Sequence, residues 1–134
     1  MTLRKSKIIA FVPTKNAAGA RRFYESTLGL RFLRDDRFAL VFDAGGTMLR
    51  VVKVAEYTPA PFTIVGWEVA DVEAVARKLA RMRVALQRYE GMQQDRLGIW
   101  TSPDGSRVAW FKDPDGNLLS ISQHPERGTA DQRK

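Results

Sequence analysis

The side chains best suited to chemistry in this sequence lie near its C-terminal end. Ser120, Ser122 and His124 alternate along an apolar, β-prone segment, so they share one face of a strand. His124 is the single histidine, and acid or base catalysis by an imidazole would depend on it. The alternative is a partly exposed histidine at the start of a polar tail, and both interpretations stay open.

Arg50 is a second candidate, because it is a cation within an apolar strand. A guanidinium keeps its charge and offers a fixed fork of donors, so it suits an anionic ligand group. The alternative is an internal ion pair with Glu68 or another carboxylate.

Four aromatic residues could be either core or a stacking platform for a planar ligand. We expect at least one of them to touch a pocket: Phe11, Trp67, Trp100 and Trp110.

Several kinds of site are excluded by the composition. Cysteine is absent, so disulfides and thiolate metal sites cannot form. No P-loop, nucleophile elbow or His-Glu-x-x-His motif occurs. Asp104, Asp113 and Asp115 lie near glycines, and a role in turns accounts for them better than a calcium loop or a carboxylate dyad.

A predicted hairpin positions the C-terminal candidates. Val108–Phe111 and Leu118–Ile121 read as strands, and Asp113–Asn117 supplies a turn in which Gly116 can take a positive φ. The same plan occurs 70 positions earlier, at residues 39–50. Four residues are identical between the two stretches: Ala39/Ala109, Asp43/Asp113, Gly46/Gly116 and Leu49/Leu119. The sequence therefore indicates that the same hairpin pattern occurs twice in the chain.

The remaining patterns predict a similar order of elements in each half. Asn16 and Asp71 are candidate helix N-caps, and they stand 55 positions apart, as do Ile9 and Ile64. We expect the first helix to stop at Gly29. Predicted strands cover residues 7–13, 30–33, 37–43, 47–55, 62–69, 84–89 and, as a short extended segment, 97–101. The expected domain is α+β: module one at 7–55, a linker at 56–61, module two at 62–124 and a disordered tail at 125–134.

The length and the net charge of the chain limit the location and the partners that we expect for it. A chain of 134 residues with 44% apolar side chains can bury a hydrophobic core without disulfides or a structural metal. The apolar run at residues 8–12 is too short for a signal peptide, and no stretch has transmembrane length, so we expect a cytoplasmic location and no membrane partner. The net charge of +7 is dispersed and lacks an aromatic-interleaved basic strand, so we expect no nucleic-acid partner.

The sequence resembles the vicinal oxygen chelate superfamily, which contains glyoxalases, bleomycin-resistance proteins and extradiol dioxygenases. Three motifs in order carry the resemblance: FYESTLGL at 23–30, WEVADV at 67–72 and KDPDGNL at 112–118. It extends over about residues 7 to 123. It implies tandem βαβββ modules that form a half-open barrel around a small-molecule cavity, usually in a homodimer.

The resemblance also implies four metal-ligand positions related by the internal repeat. They fall on Ile9, Arg50, Ile64 and Ser120, where family members that use a metal have His, Glu or Gln. A divalent metal needs several converging N or O donors, and this set offers one hydroxyl. We therefore expect no metal and no other cofactor.

The predicted function is binding, without metal, of a small apolar or aromatic molecule in the barrel, with or without an anionic group. The alternative is an enzyme: a glyoxalase-like lyase, an isomerase or a dioxygenase. Its metal site would be one not recognised here, or it would work without metal through His124, Arg50 or Tyr89. The predicted ligand-binding residues are Ile9, Phe11, Arg50, Ile64, Trp100, Trp110, Ser120, Ser122 and His124.

Overall fold

The protein is described by a computed structural model that covers residues 2–125, so the predicted tail lies outside the described residues except for Pro125. The first half contains one helix and four strands: β1 Ile9–Thr14, α1 Ala17–Arg21, β2 Arg31–Asp35, β3 Ala39–Ala44 and β4 Thr47–Lys53. The second half has the same order: β5 Val65–Glu68, α2 Val72–Arg81, β6 Trp100–Thr101, β7 Arg107–Lys112 and β8 Leu118–Gln123.

Each half forms its own four-stranded mixed sheet. The strand orders are β1-β4-β3-β2 and β5-β8-β7-β6. The β1–β4 and β5–β8 pairs are parallel, and the other pairs are antiparallel. This confirms the predicted α+β class with two βαβββ modules, and neither sheet is closed into a barrel. The cavity that the resemblance implies stays a prediction.

The chain divides into two compact units. The first takes in the residues up to Ile64 together with Asp113–Asn117, and the second takes in Val65–Lys112 and the chain from Leu118 onward. The module boundaries predicted above stay predictions. No helix within residues 2–125 is long and apolar enough to cross a membrane.

Both predicted N-caps are confirmed. The Asn16 side chain accepts a hydrogen bond from the Gly19 N–H at 3.0 Å, and Asp71 accepts one from the Ala74 N–H at 3.1 Å. The first helix is regular only to Arg21 and continues as a π-helical segment, Arg22–Thr27, with Phe23 and Tyr24 both buried. Gly29 follows with a φ of +75°, as expected of a helix end.

Burial alternates along the inner strand of each sheet. In β4, Leu49 and Val51 are buried, whereas Arg50 is only half-buried. In β8, Leu119 and Ile121 are buried, whereas Ser120 and Ser122 are only half-buried. Each sheet therefore has one packed face and one face less covered by its own unit. We call the latter the open face, and the predicted placement of Ser120 and Ser122 opposite Leu119 and Ile121 is confirmed.

The turn role expected for the aspartates of the hairpin is also confirmed. Asp113 accepts hydrogen bonds from the N–H groups of Asp115 and Asn117, both at 2.9 Å. Gly116 has a φ of +88°, a conformation that side-chain-bearing residues rarely adopt. The Asp115 carboxylate accepts from the Thr14 hydroxyl at 2.5 Å. Local bonds and burial thus explain these carboxylates without catalysis.

The strand predicted at Val84–Tyr89 is wrong. The segment makes a single bridge, between Leu86 and Phe111, and β6 is the short Trp100–Thr101 strand instead. The reason is that the Gln94 side chain, and not a further strand, forms hydrogen bonds with the backbone of this segment, at Gln87 and Tyr89. The other predicted strands are present with shifted ends.

Candidate functional site

Strand register makes Arg50 and Ser120 equivalent positions of the repeat. Arg50 lies opposite Phe11 in β1, and Ser120 lies opposite Gly66 in β5. The separations are 120 − 50 = 70 and 66 − 11 = 55 residues, the same two offsets that relate the halves of the sequence. All four residues belong to the open faces of their sheets.

The open face of the first sheet holds an internal ion pair. The Arg50 Nη1 atom lies 2.8 Å from the Asp36 Oδ2 atom, and both side chains are about a quarter exposed, at 22% and 28%. The hydrogen bond from Arg50 is the largest cause that lowers the pKa of the Asp36 carboxyl. The ion-pair interpretation of Arg50 therefore holds with Asp36 as its partner, and the naming of Glu68 for that role is wrong.

The other candidates of the first unit are apolar. Ile9 is 45% exposed and Phe11 is 59% exposed, on the same face as Arg50. Ile64 is half-buried and immediately precedes β5. These side chains offer contact area to a ligand but no donor atoms.

The open face of the second sheet carries three rings. The Trp110 ring centroid lies 6.3 Å from that of Trp100, with an interplanar angle of 38°, and 5.5 Å from that of Tyr89, with an angle of 88°. Trp110 lies opposite Ser120 in the β7–β8 pair. We call Tyr89, Trp100 and Trp110 the aromatic cluster. Trp67 pairs with Ile121 instead, which puts it on the packed face.

One amide side chain positions two of these rings. The Gln94 Nε2 group donates to the carbonyls of Gln87 and Gly98 at 2.9 and 2.8 Å, and its Oε1 atom accepts from the Tyr89 N–H at 2.8 Å. The Gln87 N–H donates in turn to the Trp110 carbonyl at 2.7 Å. The segments that carry Tyr89 and Trp100 are therefore tied to β7. Sequence reasoning missed Gln94, because no pattern in the neighbouring residues indicates that a glutamine side chain will bond the backbone of a loop.

Gly66 is a second residue that sequence reasoning missed. A Cβ atom at this position would lie 2.6 Å from the Ser120 Oγ atom, closer than such contacts occur. Glycine therefore leaves room for the serine hydroxyl beside the aromatic cluster. The 55-residue offset could have found it, because the offset places Gly66 at the repeat position of Phe11.

A chain of polar groups ends the open face of the second sheet. The Nε2 atom of the exposed His124 lies 3.0 Å from the Ser122 Oγ atom, and its Nδ1 atom lies 3.0 Å from the Ser106 Oγ atom. The pKa of the Asp104 carboxyl is lowered to about 2, because it accepts hydrogen bonds from the Ser102 hydroxyl and from the N–H and hydroxyl of Ser106. Which ring nitrogen of His124 donates depends on the tautomer: when Nδ1 carries the proton, it donates to the Ser106 oxygen and Nε2 accepts from the Ser122 hydroxyl.

A family model described as the Glyoxalase/Bleomycin resistance protein/Dioxygenase superfamily matches residues 8–121. Paired βαβββ modules of this kind define the class, and the chain belongs to this superfamily.

Solved structures agree in fold. A superfamily member from Sphaerobacter thermophilus has a TM-score of 0.70 at 19% identity, covering 88% of this chain and 96% of that one. A lactoylglutathione lyase from Agrobacterium tumefaciens has a TM-score of 0.67 at 16% identity, covering 88% and 93%. A glyoxalase/dioxygenase from Nostoc punctiforme has a TM-score of 0.66 at 19% identity, covering 92% and 93%. No curated protein sequence matches the chain significantly.

The metal that some members of the family use does not fit the residues at its expected positions. Ile9 and Ile64 have no donor atoms, and the Arg50 guanidinium is a cation already bonded to Asp36. Only the Ser120 hydroxyl could coordinate an ion there. Elsewhere in residues 2–125, no group of three or more His, Asp or Glu side chains is arranged to hold one.

Proposed function

We propose that this protein binds a small planar aromatic or apolar molecule without a metal ion. The supporting observation is the aromatic cluster on the open face of the second sheet, with the Ser120 hydroxyl beside Trp110. Small-molecule sites combine apolar and aromatic walls with a few placed polar groups. The three rings contact one another at 5.5 and 6.3 Å, and Tyr89 is still 37% exposed, so ring surface remains for a planar ligand to contact.

The ligand requires no anionic group at the first sheet. Arg50 was the sequence candidate for such a group, but Asp36 already satisfies its charge at 2.8 Å. An anion there would have to displace a bonded carboxylate, which costs the hydrogen bond and the ion pair. We therefore propose that the part of the ligand held by the aromatic cluster is uncharged.

Tryptophan fluorescence tests the binding site. Two of the three tryptophans, Trp100 and Trp110, belong to the aromatic cluster, so a planar ligand bound there should quench most of the emission. In a screen of planar aromatic compounds, Trp110→Ala should weaken binding by about tenfold or more. Trp67→Phe is the matched control, because Trp67 lies on the packed face. Equal affinities of the two variants for every quenching compound would contradict the proposal.

Metal independence needs a separate test. We expect the protein dialysed without chelator to retain less than one metal ion per chain in elemental analysis. Thermal-shift measurements with Zn, Ni, Mn and Fe should show no selective stabilisation by one of them, because the donor set at the family positions is one hydroxyl. One retained ion per chain would overturn the metal-free assignment and leave the aromatic site untouched.

The polar chain at His124 favours a second candidate, an enzyme that works without metal. In the tautomer whose Nδ1–H donates to Ser106, the Nε2 atom, 3.0 Å from the Ser122 Oγ atom, is the nitrogen that could accept a proton. The reaction class would be proton transfer on the bound molecule, as in lyases and isomerases. The formation and breakdown of lactoylglutathione, after the name of the Agrobacterium neighbour, is the first assay, with and without added metal. Activity that is metal-independent and lost in His124→Gln would establish this candidate.

We also propose a homodimer. Each sheet is open, so edge strands such as β2 present unpaired backbone groups. Large apolar side chains are exposed as well, with Ile8 at 77%, Phe11 at 59% and Phe38 at 65%. Light scattering at micromolar concentration should give twice the chain mass, and a monomer mass would contradict this. The cytoplasmic location and the absence of nucleic-acid and membrane partners stay predictions.

A further inference from the structure

We infer that the second module holds another binding site, for a small organic phosphate, in an arginine-lined groove at the end of α2. The groove has a volume of about 410 Å³ and is lined by Arg83, Arg88, Arg96, Val84, Leu86 and Leu97, among others. It shares no residue with the aromatic cluster or with the polar chain at His124. The inference is independent of the function proposed for the open face.

In the described part of the chain, no carboxylate pairs with the arginines of this groove. Within residues 2–125, the guanidinium groups of Arg83, Arg88 and Arg96 make no ion pair or hydrogen bond, and no acidic residue lines the groove. By contrast, Arg50 and Arg107 are both paired with carboxylates. Guanidinium forks match the oxygens of a phosphate and bind it through two parallel hydrogen bonds. Three such forks around one groove favour a doubly charged phosphate over a single carboxylate.

The backbone at Arg83 gives a second, independent observation. The Val84 N–H bonds to the Leu79 carbonyl at 2.9 Å and the Arg83 N–H bonds to the Ala80 carbonyl at 3.0 Å, the pattern of a Schellman helix end. The residue after the C-cap of this motif takes a left-handed conformation and is usually glycine. Here it is Arg83, with a φ of +65°. A residue that accepts this strain while its exposed, unpaired side chain lines a cationic groove points to a binding role.

The apolar side chains that line the groove indicate that the part of the ligand outside its phosphate group is apolar. Val84, Leu86 and Leu97 are half-buried and present aliphatic surface between the arginines. Inorganic phosphate alone would leave this surface in contact with water. A phosphate ester with a compact apolar body would cover it and gain the hydrophobic contribution as well.

Calorimetric titration with inorganic phosphate and with 1-naphthyl phosphate tests the site. The wild-type protein should bind both at low salt, naphthyl phosphate more tightly, and added NaCl should weaken both because the contacts are ionic. Arg83→Gly should weaken both by about tenfold or more while leaving the melting temperature unchanged or raised, because glycine suits a positive φ. Leu97→Ser should remove the preference for naphthyl phosphate and keep inorganic phosphate binding.

Two matched variants control for general charge and for the open face. Arg34→Ala removes an exposed, unpaired arginine from the first module and should leave phosphate affinity unchanged. Trp110→Ala should also leave it unchanged, because Trp110 belongs to the aromatic cluster. The inference is overturned if the wild-type protein shows no saturable phosphate binding, or if Arg34→Ala lowers affinity as much as Arg83→Gly. It is also overturned if Arg83→Gly keeps full affinity or lowers the melting temperature, since Arg83 would then serve the helix end alone.

Discussion

Removal of one buried hydroxyl, by Tyr24→Phe, tests how the hairpin turn is held. Tyr24 is fully buried and Asp113 is 5% exposed, and the Tyr24 hydroxyl donates to the Asp113 Oδ2 atom at 2.6 Å. The same oxygen accepts from the Asn117 Nδ2 group at 2.8 Å. The ring contacts of Tyr24 with Phe23 and Phe42, at 5.2 and 5.9 Å, would survive in phenylalanine. The variant therefore isolates one hydrogen bond to a buried carboxylate.

The expected loss follows from the charge of the acceptor. A hydrogen bond to a charged group contributes about 1.5–3 kcal/mol to the free energy of unfolding. The Asp113 carboxylate would keep its remaining donors, the Asn117 side chain and the N–H groups of Asp115 and Asn117. We therefore expect a loss of about 2 kcal/mol near neutral pH, and not the larger cost of a stranded charge.

At alkaline pH the difference in stability between the wild-type and variant proteins should become smaller. Burial first, and then the charge of Asp113 and the hydrogen bond to it, raise the pKa of Tyr24 well above its ordinary value of 10.0. Above pH 10 the unfolded chain loses this proton and the folded chain keeps it, so the free energy of unfolding falls as the pH rises. The slope from one such group is about 1.4 kcal/mol per pH unit. The Tyr24→Phe protein lacks that term.

Urea denaturation followed by circular dichroism measures both effects. The gap between the wild-type and variant proteins should shrink by about 1.4 kcal/mol between about pH 9 and pH 11. Tyr89→Phe is the control for the loss at neutral pH, because the Tyr89 hydroxyl makes no hydrogen bond in the described part of the chain. Equal stabilities of wild-type and Tyr24→Phe proteins at neutral pH, or a gap that stays constant up to pH 11, would refute the reasoning.

Three further substitutions have defined outcomes. Gly66→Ala should displace the Ser120 hydroxyl, because the new Cβ would lie 2.6 Å from it, and thus weaken aromatic ligands with little change in melting temperature. Arg50→Ala should lower the melting temperature slightly at neutral pH. Since Arg50 lowers the pKa of Asp36 below its ordinary value of 3.8, that difference should begin to shrink near pH 3.8 and vanish only below the lowered pKa of the folded carboxyl, and a difference that stays unchanged under strongly acidic conditions would count against the ion pair. Gly116→Ala should cost about 1–2 kcal/mol in urea titrations, because its φ is +88°.

Features encoded by adjacent residues were predictable from the sequence. The hairpin could be read because Asp113 bonds the backbone within its own turn and Gly116 has the required conformation. The N-caps Asn16 and Asp71 could be read because each bonds an N–H three residues on. The alternation of Ser120 and Ser122 follows from the two-residue period of a strand. Each of these signals involves a few consecutive residues.

Features that depend on distant pairing were not predictable. Asp36 and Arg50 meet because β3 and β4 bring together segments that are 14 residues apart, 50 − 36, and the sequence offers Glu68 as readily. The segment at 84–89 has strand-like composition, yet Gln94 satisfies its backbone from a loop. Such outcomes depend on which of several chemically suitable groups the register brings close.

The two modules share a strand register but differ in the volume of the side chains on their open faces. At equivalent positions the first carries Phe11 opposite Arg50, and the second carries Gly66 opposite Ser120. In the first module a large ring and an ion-paired cation occupy the surface, so little remains there for a ligand to bond. In the second module Gly66 carries no side chain and leaves room for the Ser120 hydroxyl, which lies opposite Trp110. Duplication thus supplied two copies of one scaffold, and the smaller side chains of the second copy are the reason to seek the ligand there.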